Sequence, residues 1–303
     1  MTGLGVDIAG ISMANPTMLA SGILDETGLT MLEAARAGAG AVVTKSISLE
    51  PRNGHGNPSV VELPFGLLNA MGLPNPGLGY FSGEIAIARG AGTPVIGSVI
   101  GSTGPEIAEV AIGMESAGAD AIELNLSCPH ATGFGAELGS TPDLVEAVCG
   151  AVKDVVKVPV FAKLTPNTSS IASLALAAER AGADAIVAIN TVKGMVISPE
   201  ARRPVLANRV GGLSGPAIRP IGVRCVYEIY DAVDIPVIGV GGISSSDDAL
   251  EYIMAGAKAV QLGTTVSGRG LAVFGEVCSG LSEFMDENGH MSISEIVGVA
   301  HDE

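Results

Sequence analysis

Residues 236–262 read PVIGVGGISSSDDALEYIMAGAKAVQL and contain the pattern from which the fold is inferred. The runs Val237–Val240 and Ala259–Leu262 are apolar at consecutive positions, which is typical of parallel strands covered on both faces. Between them, Ser245 or Ser246 before Asp247-Asp248 predicts a helix start, and Gly256 predicts the helix end. The segment therefore predicts a strand, a helix over residues 245–255 and a second parallel strand.

The same signals recur along the chain. Ala-Gly-Ala stands at residues 37–39, 117–119, 181–183 and 255–257, and Pro-Val stands at residues 94–95, 159–160 and 236–237. The predicted strands are Thr17–Ala20, Ala41–Thr44, a run that opens at Pro94, Asp120–Leu124, Val160–Leu164, Ala185–Ile189, Val237–Val240 and Ala259–Leu262. Segments with helical periodicity lie between them, at residues 105–117, 141–156, 169–181 and 245–255.

Eight strand–helix units in a chain of 303 residues predict an α/β fold, a TIM (β/α)8 barrel, as a single domain over residues 1–303. A doubly wound sheet is the alternative, but no G-x-G-x-x-G follows the first strand. Residues 47–85 and 191–219 are too long for ordinary loops, and both leave from C-terminal strand ends. They predict long loop insertions at the C-terminal face, acting as lids or substrate walls.

The composition narrows the class of function. With 47% hydrophobic residues the chain can bury a large core, and its formal net charge of −16 argues against binding to nucleic acid or to an anionic membrane. No basic segment precedes an apolar stretch at the start, and no run reaches the ~18 apolar residues of a membrane span. The four cysteines include no C-x-x-C, which argues against a disulfide framework and against a zinc or iron–sulfur site. Free cysteines of this kind favour a reducing compartment. We expect a cytoplasmic protein without a metal site.

One cysteine stands where a predicted strand leaves the core. Cys128 lies in Asn125-Leu126-Ser127-Cys128-Pro129, directly after the run Asp120–Leu124. Most free cysteines are small core residues. Three cysteines in helix-like stretches fit that description: Cys149, Cys225 and Cys278. The polar neighbours and the proline would make a poor core wall around Cys128, so we predict a catalytic role for it.

Polar residues gather at the predicted C-terminal strand ends, where barrel active sites are built. These tips are Ala20-Ser21-Gly22, Thr44-Lys45-Ser46, Gly97-Ser98, Asn125, Lys163, Asn190-Thr191, Gly241-Gly242 and Gly263-Thr264. A structural salt bridge would explain Lys45 or Lys163 alone, but two lysines at one mouth favour a ligand-binding role. Gly241-Gly242 and Gly263-Thr264 follow the last two strands, where many barrels bind phosphate. Together with Lys163 they predict a phosphorylated cofactor such as flavin mononucleotide (FMN).

At these residues the chain resembles the class 1 dihydroorotate dehydrogenases, and most of all the catalytic subunit of class 1B. The resemblance covers nearly the whole length, with several motifs in the same order at the same strand tips. The motifs are Ala20-Ser21-Gly22, Thr44-Lys45-Ser46, Asn69-Ala70-Met71-Gly72-Leu73, Asn125-Leu126-Ser127-Cys128-Pro129, Asn190-Thr191, Lys193-Gly194-Met195, residues 211–218 and residues 239–243. A cysteine at position 128 resembles the class 1 enzymes, which have cysteine at this place in the motif, whereas the membrane-associated class 2 enzymes use serine.

The resemblance implies oxidation of dihydroorotate to orotate in de novo pyrimidine biosynthesis, with one FMN per chain. It implies that Cys128, as general base, takes a proton from C5 of the substrate while hydride passes from C6 to the flavin. The implied substrate-binding residues are Lys45, Asn69, Ala70, Met71, Gly72, Leu73, Asn125, Asn190 and Thr191. The implied FMN-binding residues are Ser21, Lys45, Ser46, Ser98, Asn125, Lys163, Ile189, Gly215, Gly241, Gly242, Gly263 and Thr264.

Two departures from the family pattern bear on the site. Ser98 stands where class 1B relatives often have asparagine, so one flavin contact is expected to differ. Residues 130–135, which begin with His130, differ from the usual Asn and Gly-Gly pattern of the mobile catalytic loop. We expect His130 to face solvent.

Class 1B enzymes join a homodimer of this subunit to an electron-transfer subunit that carries FAD and a 2Fe-2S cluster and reduces NAD, forming a heterotetramer. The sparse cysteines fit that arrangement, since any cluster would sit on another chain, and they fit equally a class 1A homodimer that reduces fumarate.

Three other functions stay open. A dihydropyrimidine dehydrogenase-like barrel would have less use for a carboxylate-binding lysine. A dihydrouridine synthase acting on tRNA is opposed by the net charge of −16. A barrel that binds a phosphorylated metabolite without redox chemistry would lack the flavin.

Overall fold

The computed structural model describes residues 3–126 and 138–302. The strands in these residues are β1 (Val6–Ile8), β2 (Ile11–Met13), β3 (Thr17–Leu19), β4 (Ala41–Val43), β5 (Val60–Leu63), β6 (Gly66–Asn69), β7 (Val95–Val99), β8 (Ala121–Asn125), β9 (Val160–Leu164), β10 (Ala185–Ala188), β11 (Val192–Gly194), β12 (Ile197–Ser198), β13 (Arg203–Pro204), β14 (Gly211–Ser214), β15 (Val237–Val240) and β16 (Ala257–Leu262). The α-helices are α1 (Gly28–Arg36), α2 (Leu78–Ala88), α3 (Gly104–Ser116), α4 (Pro142–Lys153), α5 (Ile171–Arg180), α6 (Arg219–Tyr230), α7 (Ser246–Met254), α8 (Thr264–Arg269) and α9 (Val273–Asn288).

Eight parallel strands of the described residues form a closed barrel. They pair in the order β3, β4, β7, β8, β9, β10, β15 and β16, and β16 returns to β3 through Leu262 opposite Leu19. A helix follows each barrel strand before the next one begins. The predicted α/β fold, a TIM (β/α)8 barrel, is therefore confirmed, and the predicted strands coincide with the observed ones to within one or two residues at each end.

The helix ends follow the predicted signals. The Ser245 side chain accepts a hydrogen bond from the backbone N–H of Asp248, and the Asp248 carboxylate accepts one from the Ser245 N–H, which forms a capping box at the start of α7. At each Ala-Gly-Ala the first alanine caps the helix, and the glycine after it takes a φ between 86° and 113°. Glycine serves here because this left-handed region is costly for other residues. None of the described helices is both long and apolar enough to cross a bilayer.

The barrel interior changes character along its axis. Towards the N-terminal end it is filled by apolar side chains such as Met18, Ile96 and Phe161, and the β1–β2 hairpin adds Ile8 and Met13 to the same cluster. Towards the C-terminal end buried polar side chains take over: Ser98, Glu123, Lys163 and Gln261. Side chains alternate along a strand, so these polar residues form the last interior layer beneath the C-terminal mouth.

The two long insertions fold together above this mouth. They form a four-stranded antiparallel sheet in the order β11, β14, β6 and β5, with Asn69 opposite Gly212. A small hairpin of β12 and β13 belongs to the second insertion. The sequence marks both segments as insertions at this face, but it gives no sign that they pair with each other. The sheet matters because β6 and β14 supply one wall of the site.

Candidate active site

A cavity of about 630 Å³ lies at the C-terminal mouth of the barrel, beneath the insertion sheet. Barrel strand tips line it from below, and β6 and β14 contribute Leu67, Asn69 and Ser214 to its wall. Among the predicted site residues, those that line this cavity are Ser21, Lys45, Ser46, Asn69, Met71, Gly72, Leu73, Asn125, Lys163, Ile189, Asn190, Thr191, Gly215, Gly241, Gly242, Gly263 and Thr264. Residues far apart in the sequence are thus brought to a single cavity.

Two of the described predicted residues, Ala70 and Ser98, do not line the cavity. Ala70 is fully buried, and its side chain packs in a small cluster with Leu68 and Leu206. Ser98 is also fully buried and does not line the cavity; its hydroxyl lies 2.9 Å from that of Ser46. Ser98 therefore supports a lining residue from behind. Cys128 and His130 lie outside the described residues.

Lys163 is held in a buried polar network. Its ammonium lies 3.2 Å from Glu123 Oε1 and 3.0 Å from Gln261 Oε1, and Gln261 Nε2 donates to Glu123 Oε2 at 2.7 Å. The Glu123 side chain is 0% exposed and the Lys163 side chain 7%. These three hydrogen bonds together fix the Lys163 ammonium at the floor of the cavity. They also offset the cost of burying the Glu123 carboxylate.

Lys45 is the second cation in the cavity wall. Its ammonium lies 3.3 Å from Glu26 Oε1, but the Glu26 side chain is 69% exposed and therefore screened by water. Each lysine thus has the structural ion pair that an ordinary buried lysine would need, and each also lines the cavity. The pairing holds the two charges in place without removing either from the cavity wall.

Amide side chains from neighbouring strand tips are joined to each other. Asn190 Nδ2 donates to Asn125 Oδ1 at 3.2 Å, and Asn125 Nδ2 donates to the Ser46 hydroxyl at 3.0 Å. From the opposite wall, Asn69 Nδ2 donates to the carbonyl of Gly212 at 3.3 Å. Amides present both donors and acceptors, which suits a planar ligand whose edge alternates the two.

Another part of the cavity wall presents hydrogen-bond donors that an anion would satisfy. Gly241 and Gly242 have φ values of 129° and 74°, and the Tyr252 hydroxyl donates to the Gly241 carbonyl at 2.7 Å. The first N–H groups of α8, at Thr264 and Thr265, have no earlier helical turn to bind to. The Thr265 hydroxyl is buried in the cavity wall and has no partner among residues 3–126 and 138–302. A phosphate oxygen would satisfy these donors.

Two residues hold this part of the cavity wall in position. The buried Asp248 carboxylate accepts hydrogen bonds from the backbone N–H and hydroxyl of Ser244, both at 2.8 Å, and pairs with Arg219. Arg269 lines the cavity and joins the two glycine-containing loops by donating to the Ser244 carbonyl while pairing with Glu276.

Several residues of the site are not predicted from the sequence. Glu123 and Gln261 lie in runs that are otherwise apolar and that predict strands, although a charged or amide residue inside such a run is itself a signal of a polar interior layer. Tyr252 and Arg269 lie in helices where nothing local distinguishes them. Asp25 stands in a loop and would ordinarily be solvated, yet it is 1% exposed.

Fold and site together define a class of protein: a TIM barrel with a cavity at its C-terminal mouth, lined by Lys45, Lys163 and three asparagines and by the buried hydroxyl of Thr265, which is unsatisfied within the described residues. The family model described as dihydroorotate dehydrogenase matches residues 3–285, and the chain belongs to this family. The resemblance inferred from the motifs is thereby confirmed.

Curated relatives carry the same family name in a more specific form. The chain is 54% identical to the dihydroorotate dehydrogenase B (NAD(+)) catalytic subunit of Methanosarcina mazei over 97% of this chain and 94% of that protein. It is 54% identical to the protein of the same name from Thermoplasma acidophilum, over 99% of both chains. It is 52% identical to the protein of the same name from Pyrococcus abyssi, over 98% of this chain and 99% of that protein. The likeness is to the B-type catalytic subunit throughout.

Proposed function

We propose that this chain is the catalytic subunit of a B-type dihydroorotate dehydrogenase, which oxidises dihydroorotate to orotate in de novo pyrimidine biosynthesis. The observation that carries the proposal is the meeting of three asparagines and Lys45 in one cavity whose wall also presents donors for an anion. The name of the relatives supports the same activity.

FMN is the cofactor that we assign to the cavity, and when bound it supplies the acceptor for the substrate hydride. Gly241, Gly242, Thr264 and Thr265 would hold its phosphate with backbone N–H groups and a hydroxyl. Further along the cavity, Ser21, Ser46 and Asn125 would contact the ring system, with Ser98 supporting Ser46. Lys163 would place its fixed positive charge beside the ring, where negative charge develops on reduction.

The substrate would lie between the ring system and the insertion sheet. Asn69, Asn125 and Asn190 would hydrogen-bond the amide edge of the dihydropyrimidine, and Thr191 would join them. Lys45 would pair with the substrate carboxylate. This lysine is what would distinguish dihydroorotate from a dihydropyrimidine without a carboxylate.

Cys128 would act as the general base. It lies three residues after Asn125, which lines the cavity, although the cysteine itself is outside the described residues. Its thiolate would accept the proton of substrate C5 as the hydride leaves C6, so that the C5–C6 double bond of orotate forms. A positioned base of this kind contributes roughly 10²–10⁴-fold in rate.

Anaerobic reduction of the flavin tests this proposal. The purified yellow protein is mixed without oxygen with dihydroorotate or with dihydrouracil, and the flavin absorbance is followed. We expect dihydroorotate to bleach the flavin and dihydrouracil to do so roughly 10- to 150-fold more slowly, because loss of a charged contact costs roughly 1.5–3 kcal/mol. Equal rates with the two compounds would contradict the role of Lys45. A colourless protein that FMN does not restore would contradict the flavin enzyme altogether.

We propose a homodimer of this subunit joined to an electron-transfer subunit that carries FAD and a 2Fe-2S cluster and reduces NAD, giving a heterotetramer. The names of the relatives, which include both "NAD(+)" and "catalytic subunit", support this. Expression of the tagged chain in its natural host followed by purification should recover a second flavoprotein subunit, and only that complex should reduce NAD rapidly. Full NAD-reducing activity of this chain alone would contradict the partner.

A further inference from the structure

The loop after β3 contains a buried carboxylate that touches the cavity wall. Asp25 is 1% exposed, and its Oδ2 accepts hydrogen bonds from the backbone N–H of Gly22 and, at 3.4 Å, from the Ser21 hydroxyl. Both donors line the cavity, and Gly22 has a φ of 102°. An added Cβ at Gly22 would meet nothing within 4 Å, so its positive φ and not crowding is what favours glycine here. The Asp25 side chain bridges Ser21 and Gly22, and the Ser21 hydroxyl also lies 3.4 Å from that of Ser46.

Asp25 also connects this loop to the next one. Its carbonyl accepts a hydrogen bond from the backbone N–H of Lys45 at 3.1 Å. The charged groups that act on its carboxyl are Lys45 and Glu26. Burial is the largest influence and raises the pKa of Asp25 above its ordinary value, while Lys45 and the backbone N–H groups of Gly22 and of Asp25 itself lower it and Glu26 raises it further.

The second carboxyl oxygen is costly for the fold. Asp25 Oδ1 is buried, and in the described part of the chain it has no hydrogen-bond partner. A loop clamp alone would not need an ionisable group, because an asparagine carbonyl accepts the same two hydrogen bonds without the cost of burying a charge. A buried, incompletely bonded carboxyl beside a cavity-lining cation calls for a functional explanation.

We infer that Asp25 is a positioning residue for the cofactor, which fixes the Ser21–Gly22 wall of the cavity and adjusts the redox potential of bound FMN through its charge beside Lys45. The inference rests on the proposed function, in that FMN occupies the cavity. An ionised Asp25 opposes part of the positive field of Lys45 and so disfavours the addition of electrons to the flavin. A neutral Asp25 leaves that field intact.

The two roles separate in two variants. Asp25→Asn keeps an acceptor for the Gly22 N–H and removes the ionisable group, whereas Asp25→Ala removes both. Glu26→Gln is the comparison variant, because it removes the exposed carboxylate that pairs with Lys45 at 3.3 Å. FMN affinity is measured by fluorescence titration of the flavin-free full chain, and the midpoint potential of bound FMN is measured by spectroelectrochemistry from acidic to alkaline pH.

We expect Asp25→Asn to bind FMN with an affinity within a few-fold of the wild type, and Asp25→Ala to bind it at least about tenfold more weakly. The potentials of wild type and Asp25→Asn should coincide at low pH and diverge as Asp25 ionises, the wild type becoming the more negative. Glu26→Gln should show a smaller divergence, because water and salt screen its charge.

Three results would overturn the inference. The first is a wild-type affinity for FMN in both Asp25 variants. The second is a potential in Asp25→Asn that tracks the wild type at every pH, and the third is an equal divergence in Glu26→Gln. Circular dichroism shows whether Asp25→Ala is folded, and the isosteric Asp25→Asn variant carries the test of the potential if it is not. If the wild type itself binds no FMN, the proposed function fails; if it binds FMN and the variants behave as wild type, only the role of Asp25 fails.

Discussion

Removal of the Lys163 ammonium tests whether the polar layer at the cavity floor is a coupled unit. In Lys163→Met the Glu123 carboxylate, 0% exposed, loses the cation 3.2 Å away. Breaking a buried pair in this way typically costs about 3–5 kcal/mol. We expect the lower end, about 3 kcal/mol in the free energy of unfolding, because Gln261 Nε2 still donates to Glu123 Oε2 at 2.7 Å.

The double variant isolates the coupling. Glu123→Leu with Lys163→Met removes both charges and leaves only Gln261 without its partners, at a cost of about 1–2 kcal/mol. The double variant should therefore be more stable than Lys163→Met alone. Lys153→Met is the matched control: its ammonium lies 2.7 Å from Asp184, but the two side chains are 28% and 31% exposed, so the expected loss is below about 1 kcal/mol.

Urea unfolding of the flavin-free protein gives these differences. The chain has no tryptophan, so the transition is followed by far-ultraviolet circular dichroism. Using flavin-free protein excludes any loss that comes from a missing contact between Lys163 and the cofactor. Lys163, Glu123 and Gln261 do not form a coupled unit if Lys163→Met costs no more stability than Lys153→Met, or if the double variant is less stable than Lys163→Met.

Three further predictions concern the anion-binding loop and a buried thiol. Gly242→Ala should weaken FMN binding by about tenfold in a fluorescence titration. Gly242 has a φ of 74°, and an added Cβ would lie 2.7 Å from the Gly215 carbonyl oxygen. Gly275→Ala is the control and should bind FMN normally, because a Cβ there meets nothing within 4 Å. Tyr252→Phe should lower the free energy of unfolding by about 1–3 kcal/mol, since the Gly241 carbonyl loses its 2.7 Å donor; a variant as stable as wild type in urea would contradict this. Burial raises the pKa of Cys149 from 9.0 to about 12, so the thiol ionises in the unfolded chain before it does in the folded one. The contribution of the Cys149 thiol to the free energy of unfolding is therefore fully present below pH 9.0. It falls by about 1.4 kcal/mol per pH unit as the pH rises towards 12. Cys149→Ala should lose that part of the slope in alkaline urea titrations, and an unchanged slope would contradict the prediction.

The barrel is predictable from the sequence because its signals are local and repeated. Each Ala-Gly-Ala ends a helix, and each consecutive apolar run becomes a buried parallel strand. The strand tips then follow from the fold, which is why the order of residues along the chain is enough to assign Lys45, Asn125 and Lys163 to one mouth. Only the closed barrel, however, places Asn125 directly opposite Lys163 on neighbouring strands.

What the sequence could not supply depends on contacts between distant segments. The pairing of β6 with β14 joins two insertions through backbone hydrogen bonds, which leave no mark in the side-chain pattern. The burial of Asp25 likewise depends on how the loop after β3 folds back on Gly22, and an acidic loop residue is ordinarily solvated. The role of Cys128 stays a prediction, because it lies outside the described residues.

The stoichiometry of a single anaerobic turnover tests most directly whether this chain oxidises dihydroorotate with FMN. Wild type and Cys128→Ala, both loaded with FMN, are mixed with excess dihydroorotate, and orotate formed is compared with flavin reduced. The proposed function predicts one orotate for each flavin bleached in the wild type, and in Cys128→Ala the same yellow colour with bleaching slowed by roughly 10²–10⁴-fold. Flavin that stays oxidised in the wild type, or bleaching without orotate, would contradict it.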